Sequence, residues 1–192
     1  MIDLLIKNGL IVDGTGSPGF YGAAAVTGDT VHVRRGDVSR LESSRTIDAA
    51  GKVVCPGFID IHAHSALMPL WEPRHEPKVR QGITTELIGV DGNSYAPFRS
   101  HDDLLQFAEF NSGLEGSLPL PGQWSSVAEY LDLFDRKVAV NIAYIMGNSA
   151  IRICAMGWED RLASSADIQN MRAVVREGME DGAFGISTGL DY

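Results

Sequence analysis

Two histidines one residue apart, His62 and His64, end the run Phe58-Ile59-Asp60-Ile61-His62-Ala63-His64. In an extended chain Asp60, His62 and His64 have period two, so their side chains fall on one face. Neutral imidazole nitrogens bind zinc-class cations, and a nearby carboxylate can hold the second ring nitrogen. Two same-facing imidazoles at a strand end can therefore converge on one cation. The plain alternative is a solvated strand end with two unconnected histidines, or an ion pair involving Asp60. A second carboxylate, Asp91, stands just past the apolar stretch Ile83 to Ile88, in Val90-Asp91-Gly92-Asn93-Ser94. It is either a further ligand beside His62 and His64 or an ordinary Asx-turn residue, because Asp-Gly is a common turn pair. Gly89 and Gly92 permit close backbone approach or positive φ around it.

The elements that must position these groups are short. Before residue 56 no helical periodicity appears. Ile2, Leu4 and Ile6 alternate with Asp3, Leu5 and Lys7, and Asn8-Gly9 carries a hairpin-turn signal. Leu10 to Val12, Ala23 to Val26, Val31 to Val33, Arg45 to Asp48 and Lys52 to Val54 continue as extended pieces, closed by turns at Asp13-Gly14-Thr15-Gly16, Gly28-Asp29 and Gly51. This predicts a small β-sandwich layer or barrel over residues 1–55, in which His32 has no chemical role. From residue 56 the pattern becomes βα. Strands are expected near 58, 83, 138 (Val138 to Ile145) and 183 (Ala183 to Ser187). A helix is expected over His101 to Asn111, followed by a break from Gly113 to Gly122. Ser126-Val127-Ala128-Glu129 is a capping-box candidate, with Trp124 over the helix start. A further helix opens at Ser164 to Asp167, with Ile168, Met171, Val174, Val175 and Met179 as its apolar face and Gly182 as its stop. Ordered βα units imply parallel strands and right-handed crossovers. Catalytic residues of such barrels sit beyond strand C-termini, which is where His62, His64 and Asp91 fall.

Composition narrows the class. Hydrophobic residues are 44% and charged residues 21% of the 192, which is ordinary for a globular protein and excludes collagen-like or disordered sequence. A closed (β/α)₈ barrel needs roughly 250 residues, so 192 residues do not hold a complete one beside a second domain, which leaves an open α/β sheet or part of something longer. Sixteen Lys and Arg against 25 Asp and Glu give a formal charge of −9, which argues against nucleic acid as a partner. Cys55 and Cys154 form no CxxC pair and indicate no disulfide scaffold. No apolar stretch of about 18 residues and no signal-peptide pattern is present, so a cytoplasmic protein without a membrane partner is expected.

The segments IKNGLIVDGTG, IDAAGKVVCPGFIDIHAH, QGITTELIGVDGNSYAP and REGMEDGAFGISTGLDY together resemble the amidohydrolase superfamily, in its N-acyl-D-amino-acid deacylase (D-aminoacylase) branch. The likeness covers essentially the whole chain. PGFIDxHxH carries the superfamily resemblance, and the ending Gly182 to Tyr192 carries the branch. The resemblance implies the N-terminal part of a metal-dependent α/β (β/α)₈ TIM-barrel hydrolase, preceded by strands of a small β-sandwich. Residues 1–55 would be the sandwich-like part and residues 56–192 the first half of an incomplete barrel. It further implies one or two Zn²⁺-like ions held by His62, His64 and Asp91. The activity implied is hydrolysis of non-peptide C–N amide bonds in a small N-acyl amino acid or related amide, with metal-activated water attacking the carbonyl. A dihydroorotase- or hydantoinase-like cyclic amidohydrolase and an inactive truncated interaction module are the alternatives.

Two departures stand out. Asp91 falls where these deacylases usually carry a metal-binding cysteine, which alters the softness of the site. Asn148, in Gly147-Asn148-Ser149, replaces a histidine common at that place, while Arg152 matches an arginine nearby. No catalytic residue is expected within this chain, because the family's acid/base aspartate would lie beyond Tyr192. Exposed barrel edges would favour self-association.

Overall fold

The computed structural model describes residues 1–189 and divides into two compact units, Met1–Gly57 and Phe58–Tyr192. Leu190, Asp191 and Tyr192, the end of the last motif quoted above, lie outside the described residues.

The first unit is a single five-stranded layer. Its strands are β1 (Ile2–Ile11), β2 (Phe20–Thr27), β3 (Thr30–Arg35), β4 (Ser43–Asp48) and β5 (Val53–Val54). β1 is central: β2 pairs with it antiparallel, while β4 and then β5 pair with it in parallel. Alternation buries one face, where Leu5, Ala23 and Ala25 pack with Val38. The hairpin expected at Asn8-Gly9 is corrected: the strand runs straight through it. Asn8 has φ 66° and the β1–β2 register slips between Lys7 and Gly9, which makes a bulge. The bulge hands β1 from β4, with Lys7 opposite Asp48, to β5, with Leu10 opposite Val53. A side chain at Gly9 would meet Val54 at 2.7 Å, so glycine is required for that handover. His32 is exposed on β3.

The second unit follows the βα order. Its elements are β6 (Phe58–Asp60), α1 (Met68–Trp71), α2 (Glu76–Val79), β7 (Ile83–Ile88), α3 (His101–Phe110), α4 (Ser112–Glu115), α5 (Val127–Asp132), β8 (Asn141–Tyr144), β9 (Met146–Gly147), α6 (Asn148–Met156), α7 (Ser165–Glu180) and β10 (Ile186–Ser187). β6, β7 and β8 form a parallel sheet in that order, and β9 pairs in parallel with β10. This is a mixed α/β architecture with unclosed sheets, the start of a TIM-type barrel. Ile88, Tyr144 and Met146 of the strands meet Leu104, Phe107, Val127, Tyr130, Cys154 and Val174 of the helices in one core. Phe58, Ile59 and Ile61 at one end of the strand succession, and Phe184 and Ile186 at the other, are exposed apolar side chains. No described helix is long and apolar enough to cross a membrane.

Several boundaries differ from expectation. The strand expected over Val138 to Ile145 is β8, four residues long; the chain before it is held by the Ala139 N–H on the Pro73 carbonyl, and Val140 is buried. The fourth strand is only Ile186–Ser187, although Phe184 and Met146 already exchange the ladder's hydrogen bonds with Tyr144 and Gly185. α4 (Ser112–Glu115) runs into the start of the Gly113 to Gly122 break. α6 was not anticipated, although Ala150, Ile153 and Cys154 have helical spacing and are buried. On α7 the buried stripe is Met171, Val174, Val175 and Gly178, while Ile168 and Met179 are 40% and 45% exposed. The helix turns this way because Gly178 admits the Met146 sulfur, which a Cβ there would meet at 2.2 Å. Both capping boxes form, Ser126 with Glu129 and Ser164 with Asp167. Trp124 does cover the start of α5, donating to the Tyr95 carbonyl and lying 5.4 Å from the Tyr130 ring.

Candidate metal centre

β6 ends at Asp60, so the two histidines lie in the bend beyond the strand rather than on its face as period two implied. The Ala63 N–H donates to the Leu87 carbonyl and ties this bend to the end of β7. Asp60 does not hold an imidazole. Its carboxylate accepts the His62 backbone N–H at 3.1 Å and the Lys78 ammonium at 2.6 Å. Those two bonds, Lys78 foremost, hold its carboxyl below the usual carboxylate range.

Asp91 arrives from the next strand. After β7 the chain turns at Gly89, φ 87°, where a side chain would strike the Ile145 carbonyl oxygen. Asp91 itself is left-handed, φ 54°, a conformation that Asp tolerates better than most residues. The turn is fastened from two sides: the Gly92 N–H donates to Ser187 Oγ, and the Gly92 carbonyl accepts the Ser149 N–H. The Gly147 N–H donates to Ser94 Oγ, which locks the adjoining β9 end against the same loop. Asp91 is therefore a turn residue and a cluster residue at once.

The outcome is a compact group. Nε2 of His62 and Nε2 of His64 lie 3.0 and 3.1 Å from the same oxygen, Asp91 Oδ2, and the rings stand 5.4 Å apart at 66°. One donor atom from each of the three residues falls within 4.8 Å of the others. Two donors bound tetrahedrally at about 2.0–2.2 Å from a cation sit about 3.3–3.6 Å apart, so a small adjustment of these side chains fits them around a zinc-class ion. Two imidazoles and one carboxylate also match the three-ligand set that leaves an open position. The side chains of His62 and Asp91 are 59% and 42% exposed, which leaves room on the solvent side.

Beneath this group lies a second polar cluster that the sequence reading missed. Glu86, fully buried on β7, accepts Ser65 Oγ–H at 2.8 Å and lies 3.0 Å from His75 Nε2. Lys78 Nζ sits 2.8 Å from its other oxygen, an ion pair without hydrogen-bond alignment. Burial alone would lower the Lys78 pKa, but the two carboxylates reverse that and raise it. The available signal was a lone Glu in the apolar run Ile83-Thr84-Thr85-Glu86-Leu87-Ile88, on the same face as buried Ile88. Glu115 of α4 is also buried and accepts the Ala66 N–H at 3.0 Å; burial pushes its carboxyl up, against the lowering effect of the nearby His64 ring and the backbone N–H bonds.

The other residues singled out in sequence lie elsewhere. Asn148 is the half-buried first residue of α6 and, with Ser149 and Arg152, lines a cavity of about 310 Å³ beside Phe107 and Trp158. Arg152 donates to the Glu159 and Arg161 carbonyls and so braces the loop before α7.

Parallel βα units with a histidine pair and a carboxylate beyond their strand ends define a barrel-type α/β fold with a candidate metal centre. Residues 45–191 match the Amidohydrolase family, and the chain belongs to that family. It is 36% identical to a D-aminoacylase of Alcaligenes xylosoxydans xylosoxydans over 191 residues, 99% of this chain and 38% of the relative. The crystal structure of N-acyl-D-glutamate deacylase from Bordetella bronchiseptica, complexed with zinc and a phosphonate mimic of the tetrahedral intermediate, superposes with a TM-score of 0.84 at 32% identity. It matches 100% of this chain and 39% of that one. A D-aminoacylase described as having a binuclear metal centre, activated by one metal and attenuated by the second, matches with a TM-score of 0.82 at 34% identity, over 100% of this chain and 39% of that one. The chain thus spans under two-fifths of the length of these relatives.

Proposed function

We propose that the protein acts as a metal-dependent hydrolase of non-peptide amide bonds, of the N-acyl-D-amino-acid deacylase kind, with His62, His64 and Asp91 as metal ligands. The observation that carries this reading is the shared contact of both imidazoles with Asp91 Oδ2 beyond adjacent parallel strands. A bound zinc-class cation supplies Lewis acidity, polarising an amide carbonyl and making water a better nucleophile at neutral pH. His62 and His64 present neutral nitrogens to it, and Asp91 contributes a negative charge. With oxygen in place of a thiolate, the donor set is harder than a cysteine-containing one and holds zinc less selectively. The cluster's exposed side faces solvent, and the substrate we assign to it is a small N-acyl amino acid. Asp60, Glu86 and Glu115 are each engaged by internal donors and are not assigned the proton shuttle. We further propose that residues 1–55 belong to a sandwich-like part and residues 56–192 to the first half of the barrel.

The test has two parts. Zinc content of the purified chain after dialysis should be stoichiometric, and His62→Ala, His64→Ala or Asp91→Ala should abolish it; a chain that retains no zinc sinks the ligand assignment. The protein in its natural full length, loaded with zinc, should release amino acid from N-acetyl-D-amino acids. Release from neither the D nor the L series sinks the deacylase assignment.

A further inference from the structure

We propose that Lys78 is a positioning residue for the histidine-bearing bend, holding both of its ends through Asp60 and Glu86. This rests on the metal-site reading above and deepens it. The bend runs from His62 to Ser65. At its start the His62 N–H is held by Asp60 Oδ1, and at its finish the Ser65 hydroxyl is held by Glu86 Oε2. The remaining oxygens of those two carboxylates face one ammonium, Lys78 Nζ, at 2.6 Å from Asp60 Oδ2 and 2.8 Å from Glu86 Oε1. A single side chain thus sets where both ends of the segment sit.

The carrier of that ammonium is itself fixed. α2 is one turn long and presents Lys78 and its N-cap His75 toward Glu86. His75 has φ 43°, an uncommon conformation for this residue, and its buried ring is held against Glu86 Oε2. Stability alone is a poor explanation for the cluster. Buried ion pairs are often no more stabilising than apolar residues of equal volume, whereas residues behind a ligand commonly orient it. Here the charges are spent on the backbone and hydroxyl groups that flank His62 and His64.

The full 192-residue chain, metal-free and ¹⁵N-labelled, gives one readout: amide exchange at His62, compared with the amides of α3. Titration with Co²⁺, followed by its d–d absorption, gives the other. Lys78→Met should speed His62 exchange tenfold or more over α3, weaken Co²⁺ binding about 10–100-fold and shift the d–d bands. Lys78→Arg should restore part of both. Arg80→Met, which removes a pair with Glu76 on the same helix, should change neither. Wild-type exchange and cobalt affinity in Lys78→Met overturn the proposal. So does loosening spread evenly over α3 and the bend, which marks a general stabilising role. If Lys78→Met does not fold, Asp60→Asn carries the same readouts with a milder loss. If the unaltered chain takes up no cobalt, the metal reading falls, and exchange at His62 still decides the role of Lys78.

Discussion

His64 and His75 each place Nε2 about 3 Å from a carboxylate oxygen, Asp91 in one case and Glu86 in the other, yet the two regions differ in kind. Around Glu86 every nearby donor is internal: a hydroxyl, an imidazole and an ammonium converge on a carboxylate with no exposed surface. Around Asp91 two imidazoles converge on one oxygen of a side chain that is 42% exposed, and no other internal donor holds that carboxylate among the described residues. A sealed cluster is committed to holding the chain in place, because removing its central carboxylate leaves the Ser65 hydroxyl and the His75 ring without their acceptor. An open cluster at strand ends can change partners and take up a cation at little conformational cost. The same pair of residue types thus serves architecture a few residues away from the proposed metal site.

The sharpest way to break this comparison is to empty the sealed cluster. Glu86→Ala leaves Lys78, His75 and Ser65 without their shared acceptor, and a loss of about 3–5 kcal/mol in urea unfolding of the second unit is expected. A loss under 1 kcal/mol would show that water reaches the cluster and that it is not sealed. The open cluster should behave oppositely: His62→Ala or Asp91→Ala removes zinc binding, yet shifts metal-free stability by no more than about 1 kcal/mol, as for exposed pairs. Equal destabilisation by both sets would erase the distinction.

A third carboxylate gives an intermediate point. The Arg161 guanidinium, followed by the Ser164 hydroxyl and N–H, holds the Asp167 carboxyl well below the usual carboxylate range. The stability it contributes is therefore fully present above its unfolded value near 3.8 and is lost as pH falls below that. Asp167→Asn should flatten the acid limb of a stability-versus-pH curve below about pH 4 and leave the neutral region's slope unchanged. The smallest effect is expected at a cap. Ser126→Ala should cost about 1 kcal/mol, read as a shifted unfolding midpoint, with zinc affinity unaltered. A cap loss that also weakened zinc would mean that the open cluster is coupled to α5, whose Tyr130 hydroxyl donates to the Ala66 carbonyl.

How much of this was legible in sequence follows the same division. The meeting of His62 and His64 was legible because their spacing after an apolar run marks a strand end, whereas Asp91 stood between turn residue and ligand and joined them only through the family resemblance. The capping boxes were readable because their spacing is local. Glu86, Lys78 and His75 were not linked, because what joins them is a crossover that folds α2 back over β7, and no periodicity records that packing. The bulge at Asn8 was read as a turn for a related reason. The local signal for left-handed backbone is the same in both, and only the partner strands β4 and β5 distinguish them. Asn148 drew attention as a substituted ligand, whereas the apolar spacing behind it marks the first turn of α6.

The left-handed backbone at Asp91 makes the donor at this position a matter of shape as well as of charge. Exchange for cysteine would move the site toward softer ions, but it would also ask a residue less at home at φ 54° to occupy a turn pinned by Ser149 and Ser187. Metal preference and loop conformation are therefore inherited together here. A protein engineer who wishes to retune the ion must redesign the turn in the same step.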